Sequence, residues 1–350
     1  MNHMSVRGWI SVATITLLVI VLFFSRHEIA TAWHTLGSVN IWILLLLFPL
    51  QLVAYYAAAQ TLFVYLRSKN KIPSLSRWNL MRMALEMNFV NHALPSGGVS
   101  GISYMTWRFG QYGVNAGRAT AAQGVRYAAG FAASIVVIAI SVIAVTIDGN
   151  VNRWIILVSA GLVTIMLLGI IGIPYLISNK HRVDRFSAWL ANVVNRLVRK
   201  LTRGKKRVVL KEDKLRTFFE EMHKDYMELR HDWRVLIKPF LWALLFTIAE
   251  ASLFYATFLA LGEVVNPAPI VIAYILASIA GFIVVTPGGT GVYEAIMVTF
   301  LAVAGVNSGV AIAGILLTRI IILLTTIGLG YIFYQHAILK YGKDTHPIKS

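Results

Sequence analysis

The stretch that decides the fold is NHALPSGGVSG, residues 91–101. It places a proline, three glycines and two serines inside a chain that is 57% hydrophobic and only 13% charged. Soluble domains are about one quarter charged, so this composition argues against a globular soluble protein. A flexible, polar stretch in such an apolar chain predicts a helix that is interrupted at membrane depth.

Six windows of the chain are long, apolar and almost free of charge. About 20 apolar residues cross the roughly 30 Å hydrocarbon core as a helix. No small-residue cleavage site follows the first window, so we interpret it as a retained helix. The sequence therefore predicts an all-α multi-pass membrane protein with about six full spans: Gly8–Phe24, Ile41–Leu66, Ala119–Ile147, Trp154–Ile177, Pro239–Leu261 and Gly309–Phe333.

The formal net charge of +17 is unevenly distributed. Residues 178–238 hold 17 Lys and Arg against 8 Asp and Glu, and basic residues also flank residues 67–77 and the C-terminal end. Between apolar spans such a bias indicates cytoplasmic loops facing anionic lipid headgroups, not a nucleic-acid partner. We therefore expect a cytoplasmic-membrane protein with both termini in the cytoplasm.

This orientation divides the chain into an N-terminal membrane half (1–177), a basic amphipathic helical segment (178–238) and a C-terminal membrane half (239–350). The stretches 78–117 and 269–308 must each begin and end on one side of the membrane. Each has a Pro/Gly-rich break near its middle. Two re-entrant helical hairpins fit this pattern, and two closely packed full spans in each stretch are the alternative.

The two breaks belong to an internal repeat. A shift of 192 residues places Pro95 on Pro287 and the run GVNAGRATA on GVNSGVAIA, with nine identities in 27 positions. The first hairpin opens inward and the second outward, so the repeats have opposite topology. Inverted repeats with broken helices at matching positions are typical of transporter folds.

The breaks are candidate anion-binding sites. Unpaired backbone groups cannot face lipid, so a broken helix must lie in protein or contact water. The helix that leaves each break presents free N–H groups to the break, and glycine lets a ligand approach closely. The alternative is a purely structural role, in which the small residues only permit tight helix packing. The residues concerned are Ser96, Gly97, Gly98, Gly288, Gly289 and Gly291.

The motifs LPSGGVSG and TPGGTGVYEA make the chain resemble a known family, the flippase-like transmembrane region of lysylphosphatidylglycerol synthases. The more specific element is P-G-G-x-G-x-x-E, from Pro287 to Glu294. The resemblance implies translocation of phospholipids or aminoacylated lipids between leaflets. The aminoacyl-transferase domain of the full synthases has no counterpart here, which implies a separate lipid-modifying enzyme as partner.

Ionisable residues within spans are costly and need a reason. Glu250 and Arg319 lie near the middle of their spans and either pair structurally or form a site. In such a site Arg319 binds a lipid phosphate, and Glu250 is its partner or a proton site. Arg126 is the preferred anion contact of the first half, whereas Arg118 either contributes or snorkels to the interface. Glu294 falls in the first turn after its break, where the helix dipole stabilises a carboxylate.

Polar residues also precede the first break. Asn88, Asn91 and His92 share one helix face and predict the wall of a wet cavity, whereas Arg82 and Glu86 are spaced to neutralise each other. The sequence contains no cysteine and no nucleotide-binding motif. We expect no metal, no cofactor and no catalytic residue.

Three functions compete at this stage. A lipid translocase would expose a polar cavity to each leaflet in turn. A membrane-embedded lipid-modifying enzyme, of the polyprenyl-lipid phosphatase kind, would need a clustered acid, base or nucleophile. An accessory subunit of a cell-envelope enzyme would transport nothing itself. The basic segment would either link the halves as a helical hairpin or lie on the inner leaflet.

Overall fold

A computed structural model describes residues 39–69, 75–94, 99–147, 153–201, 212–283 and 291–341. Within these ranges most residues are helical and no strand is present. The predicted span Gly8–Phe24 and the tips of both breaks lie outside the described residues. The prediction of an all-α multi-pass membrane protein is confirmed.

Twelve α-helices and one 3₁₀ turn are described. Five segments are long and apolar enough to cross a membrane: α1 and α2 together, α5, α6, the 3₁₀ turn with α9, and α12. They match five of the six predicted spans. The helices are α1 Ile41–Leu45, α2 Leu47–Ser68, α3 Arg77–Ala93, α4 Val99–Gly110, α5 Ala116–Ile147, α6 Arg153–Ile177, α7 Lys180–Leu201, α8 Glu212–His231, the 3₁₀ turn Trp233–Leu236, α9 Ile237–Ala260, α10 Pro267–Ile283, α11 Val292–Val303 and α12 Ser308–Tyr341.

The two stretches with a Pro/Gly break each fold into a pair of short helices. In both, a 17-residue arm (α3, α10) packs against a 12-residue arm (α4, α11). Twelve helical residues extend about 18 Å, which is less than the roughly 30 Å hydrocarbon core. The described parts of the short arms are thus shorter than a full span, and the choice between re-entrant hairpins and packed full spans stays a prediction.

The repeat is visible in a turn that the chain forms twice. Gly113 and Gly305, 192 residues apart, have φ angles of 74° and 91°. These left-handed values suit glycine, which has no Cβ, and they end the preceding helix. Two residues later Asn115 Oδ1 accepts the N–H of Arg118 at 3.0 Å, and Asn307 Oδ1 accepts that of Gly309 at 2.9 Å. The same Gly-Val-Asn sequence therefore ends one helix and caps the next in both halves.

The packing of the helices follows the repeat. The set α2–α3–α4–α5 corresponds in order to α9–α10–α11–α12. The helix α3 packs against α12 as α10 packs against α5, and α2 packs along α9 at the centre. The contacts among α2–α5 thus recur among α9–α12, although the contact of α9 with α5 is more extensive than that of α2 with α12.

The central helices show that the halves are inverted. Asn40, just before α1, donates its N–H to the carbonyl of Ala260 at the end of α9, at 2.8 Å. Further along, the rings of Tyr56 and Trp242 lie 5.5 Å apart. The helix α2 therefore runs antiparallel to α9, its counterpart in the repeat.

The basic segment folds into a helical hairpin. The rings of Phe186 on α7 and Phe219 on α8 meet at 5.4 Å. Arg216 Nε lies 3.1 Å from Asp184 Oδ1 and 3.3 Å from Glu220 Oε1. The hydrogen bond from Arg216 holds the pKa of Glu220 below its ordinary value. Since α8 also packs against α5 and α6, the hairpin is joined to the membrane region.

Candidate functional site

The exit of the second break is the most fully described part of the predicted site. Gly291 has a φ of 89° and directly precedes α11. Its N–H donates to Glu294 Oε2 at 2.6 Å, so the carboxylate satisfies a backbone group at the start of the helix. Of the glycine and serine candidates, Gly291 alone is described; Ser96, Gly97, Gly98, Gly288 and Gly289 lie outside the described residues.

The same carboxylate joins the break to the last span. Arg319 Nε on α12 donates to Glu294 Oε1 at 2.7 Å, with the two side chains 15% and 10% exposed. The guanidinium also lies over the ring of Tyr293, 4.3 Å from its centroid. Arg319 is about 17 Å along α12 from its first residue, deep within the span. A cation is thus held near the broken hairpin at membrane depth.

Glu250 occupies the middle of α9 and lies close to this pair. It is half-buried and interacts electrostatically with Arg319. The pairing partner of Arg319, however, is Glu294 rather than Glu250. In the described part of the chain the Glu250 carboxylate makes no hydrogen bond. Because an unpaired carboxylate is expensive in hydrocarbon, Glu250 is a candidate for a water-accessible site.

The first hairpin reaches the same region. His92, at the end of α3, is within electrostatic range of Arg319 on α12. Its Nδ1 donates to the carbonyl of Asn88 at 2.8 Å. The half-buried side chain of Asn88 has no hydrogen-bond partner within the described ranges, as expected for a group that faces water. The structure therefore brings His92, Glu250, Glu294 and Arg319, from both halves, into one polar cluster.

Asn91, which the sequence predicted to lie on a cavity wall, bonds across the first hairpin. Its Oδ1 accepts the N–H of Gly101, in the first turn of α4, at 2.9 Å. A Cβ at Gly101 would lie 2.3 Å from the same oxygen, so α3 and α4 are in close contact here. Asn91 therefore ties the two arms of the first hairpin together.

Arg126 lies about 15 Å along α5 from its first residue. Its Nη1 is 3.4 Å from Gln123 Oε1 and 3.4 Å from the sulfur of Met87. The guanidinium is 5.5 Å from the centroid of the Tyr127 ring. No described carboxylate pairs with Arg126, which leaves a positive charge without a counter-charge from these residues. Arg118 lies about two turns nearer the start of α5 and is half-buried.

A buried charged network in the first hairpin was missed by the sequence analysis. Glu86 Oε2 accepts from Arg108 Nε at 2.9 Å and from the Tyr104 hydroxyl at 2.9 Å. The spacing on α3 suggested Arg82 as the partner of Glu86, but Glu86 pairs with Arg108. The Arg82 guanidinium lies over the Phe333 ring. The partners are 22 residues apart on separate arms, and no local pattern connects them.

Polar side chains also line the contact between α2 and α12. The hydroxyls of Tyr55 and Thr326 hydrogen-bond, and Gln51 Nε2 donates to the Tyr55 hydroxyl at 2.7 Å. Gln51 also reaches the carbonyl of Ile322. Because both contacts join residues 271 positions apart, α2 and α12 run parallel. The interior between the halves is therefore polar at several levels.

Comparisons with known proteins agree with a membrane protein. A membrane protein of Methanothermobacter thermautotrophicus, described as a UPF0104 membrane protein, is 26% identical over 182 residues. The alignment covers 52% of this chain and 52% of that relative, so it spans about half the length of each. No solved structure matches the chain. The sequence model of the family described as the lysylphosphatidylglycerol synthase TM region matches residues 8–330, and the chain belongs to that family.

Proposed function

We propose that this protein moves phospholipids with anionic or aminoacylated headgroups between the leaflets of the cytoplasmic membrane. The headgroup would pass through a polar cavity between the two hairpins. The family match supports a lipid-related role in a membrane. The match is to the transmembrane region of lysylphosphatidylglycerol synthases, which supports a membrane-embedded transporter over an enzyme.

The observation that carries the proposal is the unmatched charge of Arg126. Arg108 and Arg319 are each neutralised by a glutamate. Arg126 has only an amide oxygen, a thioether sulfur and a ring around it within the described residues. An arginine within a span costs up to about 2.5–3.5 kcal/mol on insertion scales, the value for the helix centre. A lipid phosphate, bound by the planar guanidinium, would supply the missing negative charge.

The second half offers a site of the same chemistry that is occupied internally. The Glu294 carboxylate holds Arg319 as a phosphate would, through a charge-assisted hydrogen bond. A headgroup phosphate entering the cavity would compete with Glu294 for Arg319. Glu250 and Asn88, which make no described side-chain hydrogen bond, would then solvate the polar parts of the headgroup.

Transport requires a change between two conformations, and two inverted halves can make that change. Two related units that face opposite sides of the membrane have two equivalent packings, and rocking between them exposes a central site alternately. We place both termini and the α7–α8 hairpin in the cytoplasm, because Lys and Arg concentrate there. A separate lipid-modifying enzyme is the partner that would supply aminoacylated lipid.

Lipid scrambling by the purified protein tests this proposal. Proteoliposomes would carry fluorescent phosphatidylglycerol, and dithionite would bleach the label in the outer leaflet alone. Replacing Arg126 by glutamine should slow scrambling at least about tenfold, the effect of about 1.4 kcal/mol in the barrier. Arg153→Gln is the matched control, since this exposed arginine begins α6 at the membrane boundary, and it should scramble normally.

Other outcomes would point elsewhere. Release of phosphate or headgroup from the labelled lipid would identify an enzyme and overturn the transport proposal. Scrambling that requires a copurified protein would identify an accessory subunit. Equal scrambling rates for Arg126→Gln and the unmodified protein would contradict the proposal that Arg126 binds the lipid phosphate.

A further inference from the structure

A cavity outside the central polar cluster lies where α8 meets the ends of two spans. Its volume is about 540 Å³, within the range of small-ligand sites. It is lined by Lys69, His223, Lys224, Met227, Glu228 and His231. We call this cavity the basic pocket.

The position of the basic pocket is fixed by contacts to the span ends. Lys69 directly follows the span Ile41–Ser68. His223 donates from Nδ1 to the carbonyl of Ile177, the last residue of the span Arg153–Ile177, at 2.5 Å. Because both spans end here, the pocket lies at the level of the lipid headgroups. It is open to the outside of the described part of the protein, so a ligand can enter it.

The lining of the basic pocket is suited to an anion. Glu228 is its one acidic residue, and that carboxylate is 3.2 Å from Lys69 Nζ. Lys224 is exposed and adds a positive charge that Glu228 does not offset. Cationic side chains therefore outnumber the acid.

The two histidines are oriented by backbone carbonyls. His231 donates from Nδ1 to the carbonyl of Met227 at 2.9 Å, as His223 does to Ile177. A carbonyl oxygen only accepts, so Nδ1 carries the hydrogen in both rings. With the hydrogen on Nδ1, each ring has Nε2 left as a hydrogen-bond acceptor. The histidines therefore suit the hydroxyl groups of a lipid headgroup, while the lysine ammonium groups suit its phosphate.

We propose that the basic pocket binds the phosphate of an anionic phospholipid from the adjacent leaflet. The lipid source is favoured over free phosphate because the pocket opens at the ends of two spans, where acyl chains can continue along the helices. A lysine near an anionic membrane surface contributes about 1 kcal/mol to such binding. The proposal requires that the chain lie in a membrane, but it does not depend on lipid translocation.

Native mass spectrometry of the full chain, released from phosphatidylcholine nanodiscs with a minor fraction of phosphatidylglycerol, tests the proposal. Lys224→Gln/His231→Gln should reduce bound phosphatidylglycerol about fivefold, the effect of about 1 kcal/mol. Lys180→Gln/His181→Gln removes the same residue types from an exposed site outside the pocket, and it should leave occupancy unchanged. Glu228→Gln should raise occupancy, because it removes the competing carboxylate.

Three results would overturn the proposal. Equal loss of lipid in both double variants would indicate a general surface-charge effect. No gain with Glu228→Gln would show that the lining charge does not control binding. Displacement of the lipid by inorganic phosphate would assign the pocket to a soluble phosphate. Since occupancy and not transport is measured, failure of the scrambling assay leaves this test readable.

Discussion

The ion pair at the exit of the second break permits a quantitative prediction for Glu294→Ala. The carboxylate accepts from Gly291 N–H at 2.6 Å and from Arg319 Nε at 2.7 Å, and only a tenth of its side chain is exposed. Removing one partner of a buried ion pair costs about 3–5 kcal/mol, whereas exposed pairs contribute at most about 1 kcal/mol. We expect Glu294→Ala to lower the free energy of unfolding by about 3 kcal/mol, the lower end of the buried range.

The double variant Glu294→Ala/Arg319→Met separates the energy of the ion pair from the contributions that each residue makes alone. Replacing a whole buried pair by apolar side chains is often close to neutral. The double variant should therefore be more stable than Glu294→Ala, with a coupling energy of about 2 kcal/mol.

Reversible unfolding in mixed micelles, followed by far-UV circular dichroism, measures these differences. Glu263→Gln is the control, since this exposed glutamate lies in the turn between α9 and α10, and it should change stability by less than about 0.5 kcal/mol. Additive effects of the two single changes, with no coupling energy, would refute the conclusion that Glu294 and Arg319 act as a pair.

Two further predictions concern glycines and use the same unfolding assay. A Cβ at Gly330 would lie 2.6 Å from Phe89 Cβ and 2.8 Å from a backbone oxygen. Gly330→Leu should therefore cost at least about 1–3 kcal/mol, and Gly328→Ala, with nothing within 4 Å, should cost much less. Gly305→Ala at a φ of 91° should cost about 1–2 kcal/mol; a neutral result would show that the repeated turn does not depend on glycine.

The spans and the repeat were accessible from the sequence because both rest on local patterns. Hydropathy alone located the five described spans, since no side-chain partner is needed to recognise a lipid-facing helix. The repeated Gly-Val-Asn turn was equally local: glycine supplies the positive φ and asparagine caps the next helix. Glu294 was also placed correctly in the first turn after its break, where it accepts the Gly291 N–H.

The charged pairs were not accessible, because partner choice is decided by packing between distant helices. Spacing on one helix favoured Arg82 as the partner of Glu86, yet the hairpin brings Arg108 to that carboxylate. Depth favoured Glu250 as the partner of Arg319, but α11 places Glu294 within 2.7 Å. Likewise, no pattern on α3 shows that Asn91 meets Gly101 across the break.

The account depends on a water-filled cavity between two inverted halves, and single-cysteine labelling tests it most directly. The chain contains no cysteine, so each introduced thiol is unique. The matched positions are Asn88, half-buried and without a described side-chain partner, and Leu168, which is 67% exposed in the middle of a span.

Sealed vesicles carrying Asn88→Cys or Leu168→Cys would be treated with a membrane-impermeant cationic thiol reagent. We predict rapid labelling at position 88, slowed by phosphatidylglycerol, and no labelling at position 168, which faces lipid. No labelling at position 88 from either side of the membrane, or equal labelling at both positions, would contradict the account.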